Sequence, residues 1–238
     1  MGKVVTFASL QYQPTATGIN TAAVTGSDGK EMQAELVRLA SGAKLAATVP
    51  PGCDRYFFTL TGEATVSNGG AAHRMPTETF ATLQEGTNFT LGNIGKAEAE
   101  LLSVIVPPPG KSGAHPGFKG GIRVAERRKQ PVVDIPDQKK RRIHFVDKSA
   151  AVSERGHAMI VEYVPETVTG MHMHPNAECI FVVLTGKVRF TVNGKDEVLE
   201  RGQAVHFPAG DRHGLRRDAG DVSFLEMHVP GTFTSVRG

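Results

Sequence analysis

The segment IFVVLTGKVRF, residues 180–190, predicts two β-strands joined by a tight turn. Its β-branched and aromatic residues are typical of strands, and Gly186 in its middle is a turn former. YFFTLTGEATV, residues 56–66, aligns with this segment without a gap and has Gly62 at the same place. An internal match of this kind predicts that one all-β unit occurs twice in the 238-residue chain.

The match between the two halves continues beyond these hairpins. A second glycine-centred block follows each hairpin, at 83–91 and at 199–207. Each copy then closes with an apolar segment that ends in proline, at 101–107 and at 224–230. Short strand-forming segments separated by Asn-Gly and Gly-Gly pairs favour β-hairpins, and no long helical periodicity competes with them. The sequence therefore predicts an all-β protein.

The repeat divides the chain into two barrels and a connection. We expect an N-terminal barrel at 1–110, a basic linker at 111–142 and a C-terminal barrel at 143–238. The net charge is only +3, yet the linker contains the basic clusters ERRK (126–129) and KKRR (139–142). Because no aromatic residues alternate with these charges, we expect a solvated connection and no nucleic-acid partner.

The composition also excludes several classes of protein. With 39% hydrophobic and 21% charged residues, the chain is predicted to be globular and not disordered. No apolar run reaches the roughly 18 residues of a membrane span, and none near the N-terminus is typical of a signal peptide. Cys53 and Cys179 fall in different predicted barrels, so we expect free thiols, a cytoplasmic location and no membrane partner.

Two histidines precede the second hairpin, in the segment GMHMHPNAEC at 170–179. Alternate side chains of an extended chain face the same way, so His172 and His174 can direct two imidazoles to one point. That arrangement predicts a metal site. The local pattern leaves open whether Glu178, Cys179 or a group elsewhere in the chain completes it.

These residues resemble the motifs of the cupin family. The first cupin motif is His-x-His followed by Glu and then Gly, and the second is Gly, Pro-x-Gly and His. HMHPNAE with Gly186 matches the first motif, and GQAVHFPAGDRH at 202–213 matches the second. The resemblance covers both halves, so it implies a bicupin, with two tandem cupin barrels of the double-stranded β-helix or jelly-roll type.

The N-terminal copy lacks the metal motif. The two histidines of the first motif align with Thr48 and Pro50, and the second block, at 86–97, has no histidine. We therefore expect one divalent transition metal ion per chain (Fe, Mn, Ni, Co or Zn), held in the C-terminal barrel, and a structural role for the N-terminal barrel. A ligand near Asp54 and Arg55 is the alternative for the N-terminal barrel.

The resemblance implies four metal ligands from the two motifs: His172, His174, Glu178 and His213. Glu178 has an accepted spacing from the histidines, whereas counting back from Gly186 places Cys179 at the family's Glu position. Adjacent strand residues point to opposite sides, so only one of the two can face the metal. We expect Glu178, because a hard oxygen suits these ions and a turn at 175–177 can absorb one residue.

Three further residues are candidates for substrate binding: Arg189, His206 and Tyr163. The resemblance implies a metal-dependent enzyme that acts on a small polar metabolite bearing a carboxylate, and a dioxygenase is the first expectation. Decarboxylase, isomerase and aminohydrolase activity of the ureidoglycine type are alternatives, as is a bicupin that binds a small ligand without catalysis. We also expect a homodimer, because association covers sheet edges.

Overall fold

The computed structural model describes residues 1–26, 29–111 and 115–237. These residues form antiparallel β-sheets and three short 3-10 helices, at Phe7–Ser9, Arg127–Lys129 and Pro136–Gln138. The prediction of an all-β fold with two tandem barrels is confirmed. No helix among the described residues is long and apolar enough to cross a membrane.

The strands of the first half are, in chain order, β1 (Lys3–Thr6), β2 (Gln13–Ala16), β3 (Ile19–Ala23), β4 (Gln33–Leu39), β5 (Lys44–Thr48), β6 (Asp54–Thr61), β7 (Glu63–Ser67), β8 (His73–Pro76), β9 (Thr79–Leu83), β10 (Asn88–Gly92), β11 (Ala99–Val106) and β12 (Ile122–Glu126). Those of the second half are β13 (Val133–Ile135), β14 (Lys140–Val146), β15 (His157–Tyr163), β16 (Val168–Met173), β17 (Glu178–Val192), β18 (Lys195–Glu200), β19 (Gln203–Phe207), β20 (His213–Val229) and β21 (Val236–Arg237).

The N-terminal barrel consists of a seven-stranded and a four-stranded sheet. The larger sheet has the order β12-β9-β6-β11-β4-β3-β2, and the smaller has the order β5-β10-β7-β8. Apolar side chains from both sheets, among them Phe57, Leu83 and Phe89, form one buried core. The interior of this barrel is therefore filled by its own side chains.

The C-terminal barrel is built on two long strands, β17 and β20, which pair with each other along most of their length. Register shifts on both sides of Gly186 let these strands bend around the barrel. Gly186 has a positive φ, and a Cβ there would lie 2.6 Å from the carbonyl oxygen of Asp221, so only glycine fits this bend. Phe181, Phe190 and Phe224 belong to the buried core of this barrel.

The strand pairing differs from the predicted domain boundaries. β1 pairs with β19 of the C-terminal barrel, although its residues fall within the predicted range of the N-terminal barrel. Part of the predicted linker, β12, pairs with β9 of the N-terminal barrel, and another part, β13 with the start of β14, belongs to the C-terminal sheet. Much of the predicted linker is therefore strand, paired with one barrel or the other, and not a solvated connection.

A third apolar core joins the two barrels. It contains Phe58 and Phe80 from the first barrel and Phe145 from the second, and the rings of Phe80 and Phe145 are stacked with centroids 5.0 Å apart. Asp54 is fully buried at this junction, where its carboxylate lies 3.1 Å from the guanidinium of Arg155. Asp54 thus links the two barrels. This differs from the alternative interpretation, in which Asp54 lies near a ligand in the N-terminal barrel.

Candidate metal centre

Three of the four predicted ligands lie together at one end of the C-terminal barrel. β16 pairs with the start of β20 so that His172 is directly opposite His213. His174 follows β16, and the three ring centroids are between 4.4 and 5.4 Å apart. One ring nitrogen from each histidine lies within 4.8 Å of the other two, a spacing from which they can share a metal ion.

Backbone carbonyl groups orient all three rings. The Nδ1 atom lies near a carbonyl oxygen at 2.9 Å in His172, 3.0 Å in His174 and 3.0 Å in His213. Because a carbonyl oxygen can only accept, each Nδ1 carries the proton and each Nε2 keeps its lone pair. The Nε2 of His174 is buried and has no hydrogen-bond partner among the described residues. These are the features expected of metal-binding histidines.

Burial keeps the three imidazoles neutral. It lowers the pKa of His172 below its ordinary value, that of His174 to about 4 and that of His213 to about 3. Neighbouring histidines lower each pKa further, because a second positive charge in the cluster is unfavourable. At neutral pH the three lone pairs are therefore free to bind a cation.

Glu178 does not join the histidines, in contrast to the expectation. β17 begins at Glu178, so strict alternation applies there and the turn at 175–177 absorbs no residue. The carboxylate accepts hydrogen bonds from the backbone N–H of Lys30 (2.6 Å) and from Nε2 of His206 (3.3 Å). Although burial raises it, these hydrogen bonds hold the pKa of Glu178 below its ordinary value. Glu178 thus connects the two halves of the chain.

Cys179 takes the place beside the histidines. Its Sγ lies 3.9 Å from Nε2 of His213, and it also forms a group of potential ligands with His174 and His228. The thiol is buried, and burial raises its pKa well above the ordinary value. The sulfur is therefore protonated unless a bound cation stabilises the thiolate.

A second polar pair, which the sequence analysis did not assign, lies next to the histidines. Nε2 of His228 is 2.7 Å from the carboxylate of Glu226, and the ring centroid of His228 is 4.5 Å from that of His174. Burial raises the pKa of Glu226, but the hydrogen bond from His228, together with the charges of Lys140 and Arg142, outweighs it and lowers the pKa to about 2. Strand alternation could have indicated this pair from the sequence. Phe224 belongs to the barrel core, and Glu226 and His228 follow it at every second position of β20, so they face the same side.

A cavity of about 460 Å³ opens over the histidines. Its walls include His172, His174, His228 and Glu226. Tyr163, a predicted substrate-binding residue, also lines it, with its hydroxyl 2.6 Å from Oγ1 of Thr169. The size suits a small metabolite.

The other two predicted substrate-binding residues lie elsewhere. Arg189 forms an ion pair with Asp218, at 2.5 Å, outside the cavity. His206 is buried on the opposite side of β19 from the histidines, since the neighbouring Phe207 stacks on His213 with centroids 4.3 Å apart. Neither side chain reaches the histidine cluster.

A further group of potential ligands is found in the same barrel. It consists of His144, Asp147 and His157, with Nδ1 of His144 2.9 Å from the carboxylate of Asp147. Within this group, the ring centroid of His157 lies 6.0 Å from that of His228. Within the described ranges, all groups of three potential ligands lie in the C-terminal barrel.

Comparison with known proteins gives a family match within the C-terminal half. Residues 159–228 match a family model described as a cupin domain. The HTH-type transcriptional regulator PuuR of Escherichia coli strain K12 is 37% identical over 78 residues, which are 32% of this chain and 42% of PuuR. The chain thus matches less than half the length of that relative.

Solved structures are similar over nearly the whole chain. Protein Ylba from Escherichia coli has a TM-score of 0.78 at 11% identity, covering 96% of this chain and 90% of Ylba. Oxalate decarboxylase from Lactobacillus farciminis, solved as a formate complex, has a TM-score of 0.72 at 14% identity, covering 98% and 87%. A cupin 2 conserved barrel domain protein from Leptotrichia buccalis has a TM-score of 0.70 at 15% identity, covering 95% and 96%. At these identities the likeness shows the fold alone.

Proposed function

We propose that this chain, which carries a cupin domain within a cupin fold, is a metal-dependent bicupin enzyme that acts on a small polar metabolite bearing a carboxylate. His172, His174 and His213 would bind one divalent ion per chain, which is Fe, Mn, Ni, Co or Zn. The observation that carries the proposal is the convergence of three neutral imidazoles, each with Nδ1 donating to a carbonyl group and Nε2 free.

The donor set favours an ion with open positions. Three histidines leave room for substrate oxygen, and when bound the ion supplies Lewis-acid activation and a template for the substrate. Cys179, and not Glu178, is the candidate for a fourth donor, because its sulfur lies on the histidine side of β17. A thiolate would favour Zn and other soft ions over Mn.

Glu226 and His228 are the candidates for proton transfer. Nε2–H of His228 donates to Glu226, which leaves Nδ1 as the basic atom of the ring. That Nδ1 is buried and has no hydrogen-bond partner in the described part of the chain. A histidine held by a carboxylate next to a metal site can accept a proton from a bound substrate.

A dioxygenase is the first candidate activity, with decarboxylase, isomerase and aminohydrolase of the ureidoglycine type behind it. The test is to incubate protein of measured metal content with small carboxylic acids and to measure oxygen consumption and product formation. We expect turnover that is abolished by chelation and by His213→Ala but not by His73→Ala, which changes an exposed histidine of the other barrel. Turnover without oxygen consumption would favour the other reaction types, and turnover by metal-free protein would contradict the proposal.

Ligand binding without catalysis is the second candidate. The relative named as a transcriptional regulator, of which 42% is matched, favours it, because a regulator has to bind its ligand and not to convert it. The described residues of the present chain contain no α-helix that could serve as a helix-turn-helix element. Tight binding of an acid by metal-free protein, with no product formed, would support this candidate.

We propose a homodimer as the assembled form. β2 and β13 end the two larger sheets, so each leaves backbone groups that a second copy could cover. Light scattering at micromolar concentration tests this directly, and a mass near that of one 25.4 kDa chain would contradict it.

A further inference from the structure

Two basic side chains line the cavity beside the histidines. Lys140 and Arg142 are two residues apart in β14, so they lie on the same face of the strand. Both contribute to the walls of the cavity that holds His172 and His174. Sequence analysis had placed these residues in a solvated linker.

Their neighbours in sequence, Lys139 and Arg141, are ion-paired, whereas Lys140 and Arg142 are not. Lys139 pairs with Glu166 at 2.9 Å, and Arg141 pairs with Glu162 at 2.8 Å. Across residues 1–26, 29–111 and 115–237, neither Lys140 nor Arg142 has an ion-pair partner. β14 therefore directs the ion-paired Arg141 outward, and Lys140 and Arg142, which have no ion-pair partner among the described residues, toward the cavity.

The charges of Lys140 and Arg142 are partly removed from water. Nε of Arg142 is buried and without a hydrogen-bond partner among the described residues. Burial, together with the charge of Arg142, lowers the pKa of Lys140. A half-buried guanidinium with one unsatisfied N–H close to a second cation is unfavourable, and an anionic ligand would relieve the repulsion and accept the missing hydrogen bond.

The charges around the cavity leave a positive excess. Lys140, Arg142 and Arg237 line it, against Asp137 and Glu226. Glu226 is already engaged by His228 at 2.7 Å, so it does not form an ion pair with either cation of β14. A divalent ion on the histidines would increase this positive charge further. A ligand with a single negative charge would then leave most of the positive charge unbalanced.

We infer that Lys140 and Arg142 form a subsite for a second carboxylate, which makes small dicarboxylates the substrate class. One carboxylate lies at the histidine-bound ion, as the proposed function requires, and the other lies on Arg142. The guanidinium binds a carboxylate through two parallel hydrogen bonds, while Lys140 adds a compact positive charge. The contact between one carboxylate and the ion rests on the proposed function. The contact between the other carboxylate and the protein depends only on Lys140 and Arg142.

The test is calorimetric binding of short mono- and dicarboxylic acids of matched chain length to the metal-loaded protein. We expect dicarboxylates to bind about tenfold more tightly than the matched monocarboxylates, the size of one charge-assisted hydrogen-bonded contact. Arg142→Gln should remove this preference and leave monocarboxylate binding and metal content unchanged. Arg142→Lys, which keeps the positive charge but not the two parallel N–H donors of the guanidinium, should retain part of the preference for dicarboxylates.

Arg141→Gln is the matched control, because this residue lies next in sequence but on the outer face of β14. It should keep the full preference, and thermal unfolding verifies that each variant is folded. Equal affinity of wild type for both classes of acid, or a preference that survives Arg142→Gln, would overturn the subsite. A preference that depends on Arg142 but persists after chelation would support the subsite and contradict the metal-dependent function.

Discussion

Glu178 and Cys179 are adjacent in β17, yet their side chains lie on opposite sides of the sheet. The sulfur of Cys179 is 3.9 Å from Nε2 of His213, whereas the carboxylate of Glu178 accepts a hydrogen bond from His206 on the other side. The strand pairing explains this division, because Glu178 is paired with Val229 and Cys179 with His228 from the first residue of β17 onward. The two residues therefore have separable roles.

Glu178→Gln should leave the metal content unchanged and lower the free energy of unfolding. The carboxylate is 2% exposed and accepts charge-assisted hydrogen bonds that an amide would make only in part. We expect a loss of about 1–3 kcal/mol, the usual cost of impairing such bonds. Element analysis and urea unfolding of the same preparation measure both effects. Loss of metal from a variant of normal stability would show that Glu178 is a ligand after all.

Cys179→Ala should shift the metal preference away from zinc. Removing the sulfur leaves the three imidazoles, whose orientation depends on backbone carbonyl groups and not on Cys179. We expect the variant to retain less Zn than wild type in competition with Mn, since the thiolate is the soft donor of the set. Mass spectrometry of metals after dialysis against an equal mixture measures the ratio. An unchanged ratio would mean that the thiol is a packing residue.

Metal-free protein should lose stability as the pH falls below about 6.5, the ordinary pKa of histidine. Burial lowers the pKa of His157 to about 4, so the unfolded chain binds a proton there that the folded chain does not. This contribution to stability is fully present above pH 6.5 and is lost as the pH falls through the folded-state value of about 4.

Replacing His157 with Gln isolates that contribution. Between pH 6.5 and pH 4 the unfolding free energy of His157→Gln should depend less steeply on pH than that of wild type, by the slope of nearly one proton. Urea unfolding of both chelated proteins across this range gives the slopes. Identical slopes would show that His157 already carries a proton in the folded protein.

Asp54→Asn should weaken the junction between the barrels. The buried carboxylate pairs with Arg155 at 3.1 Å and also accepts hydrogen bonds from Ser153 and the backbone of Phe118. Without its negative charge the buried arginine keeps only the longer ion pair with Glu85, at 3.4 Å, and we expect a cost of about 3 kcal/mol in unfolding free energy. Glu154→Gln is the control, because that neighbouring carboxylate is largely exposed. Similar stability of the two variants in urea would contradict the prediction.

Several features of the protein follow from local sequence patterns. The repeated hairpins around Gly62 and Gly186 predict two all-β units, since strand alternation and turn geometry depend on a few neighbouring residues. The same local alternation brings His172 and His174 to one face, and the spacing of the second motif adds His213. The fold class and the histidine cluster could therefore be predicted from the sequence.

Other features depend on which strands pair, and that is a long-range property. The register of β17 against β20 turns Glu178 away from the histidines and Cys179 toward them, because a shift of one residue reverses every side chain. Likewise, pairing of β14 with β15 directs Arg142 and Lys140 into the cavity, although their sequence is typical of a solvated linker. Local residue patterns determined the barrels and the three imidazoles, while only the tertiary pairing of distant strands decided which polar side chains surround them.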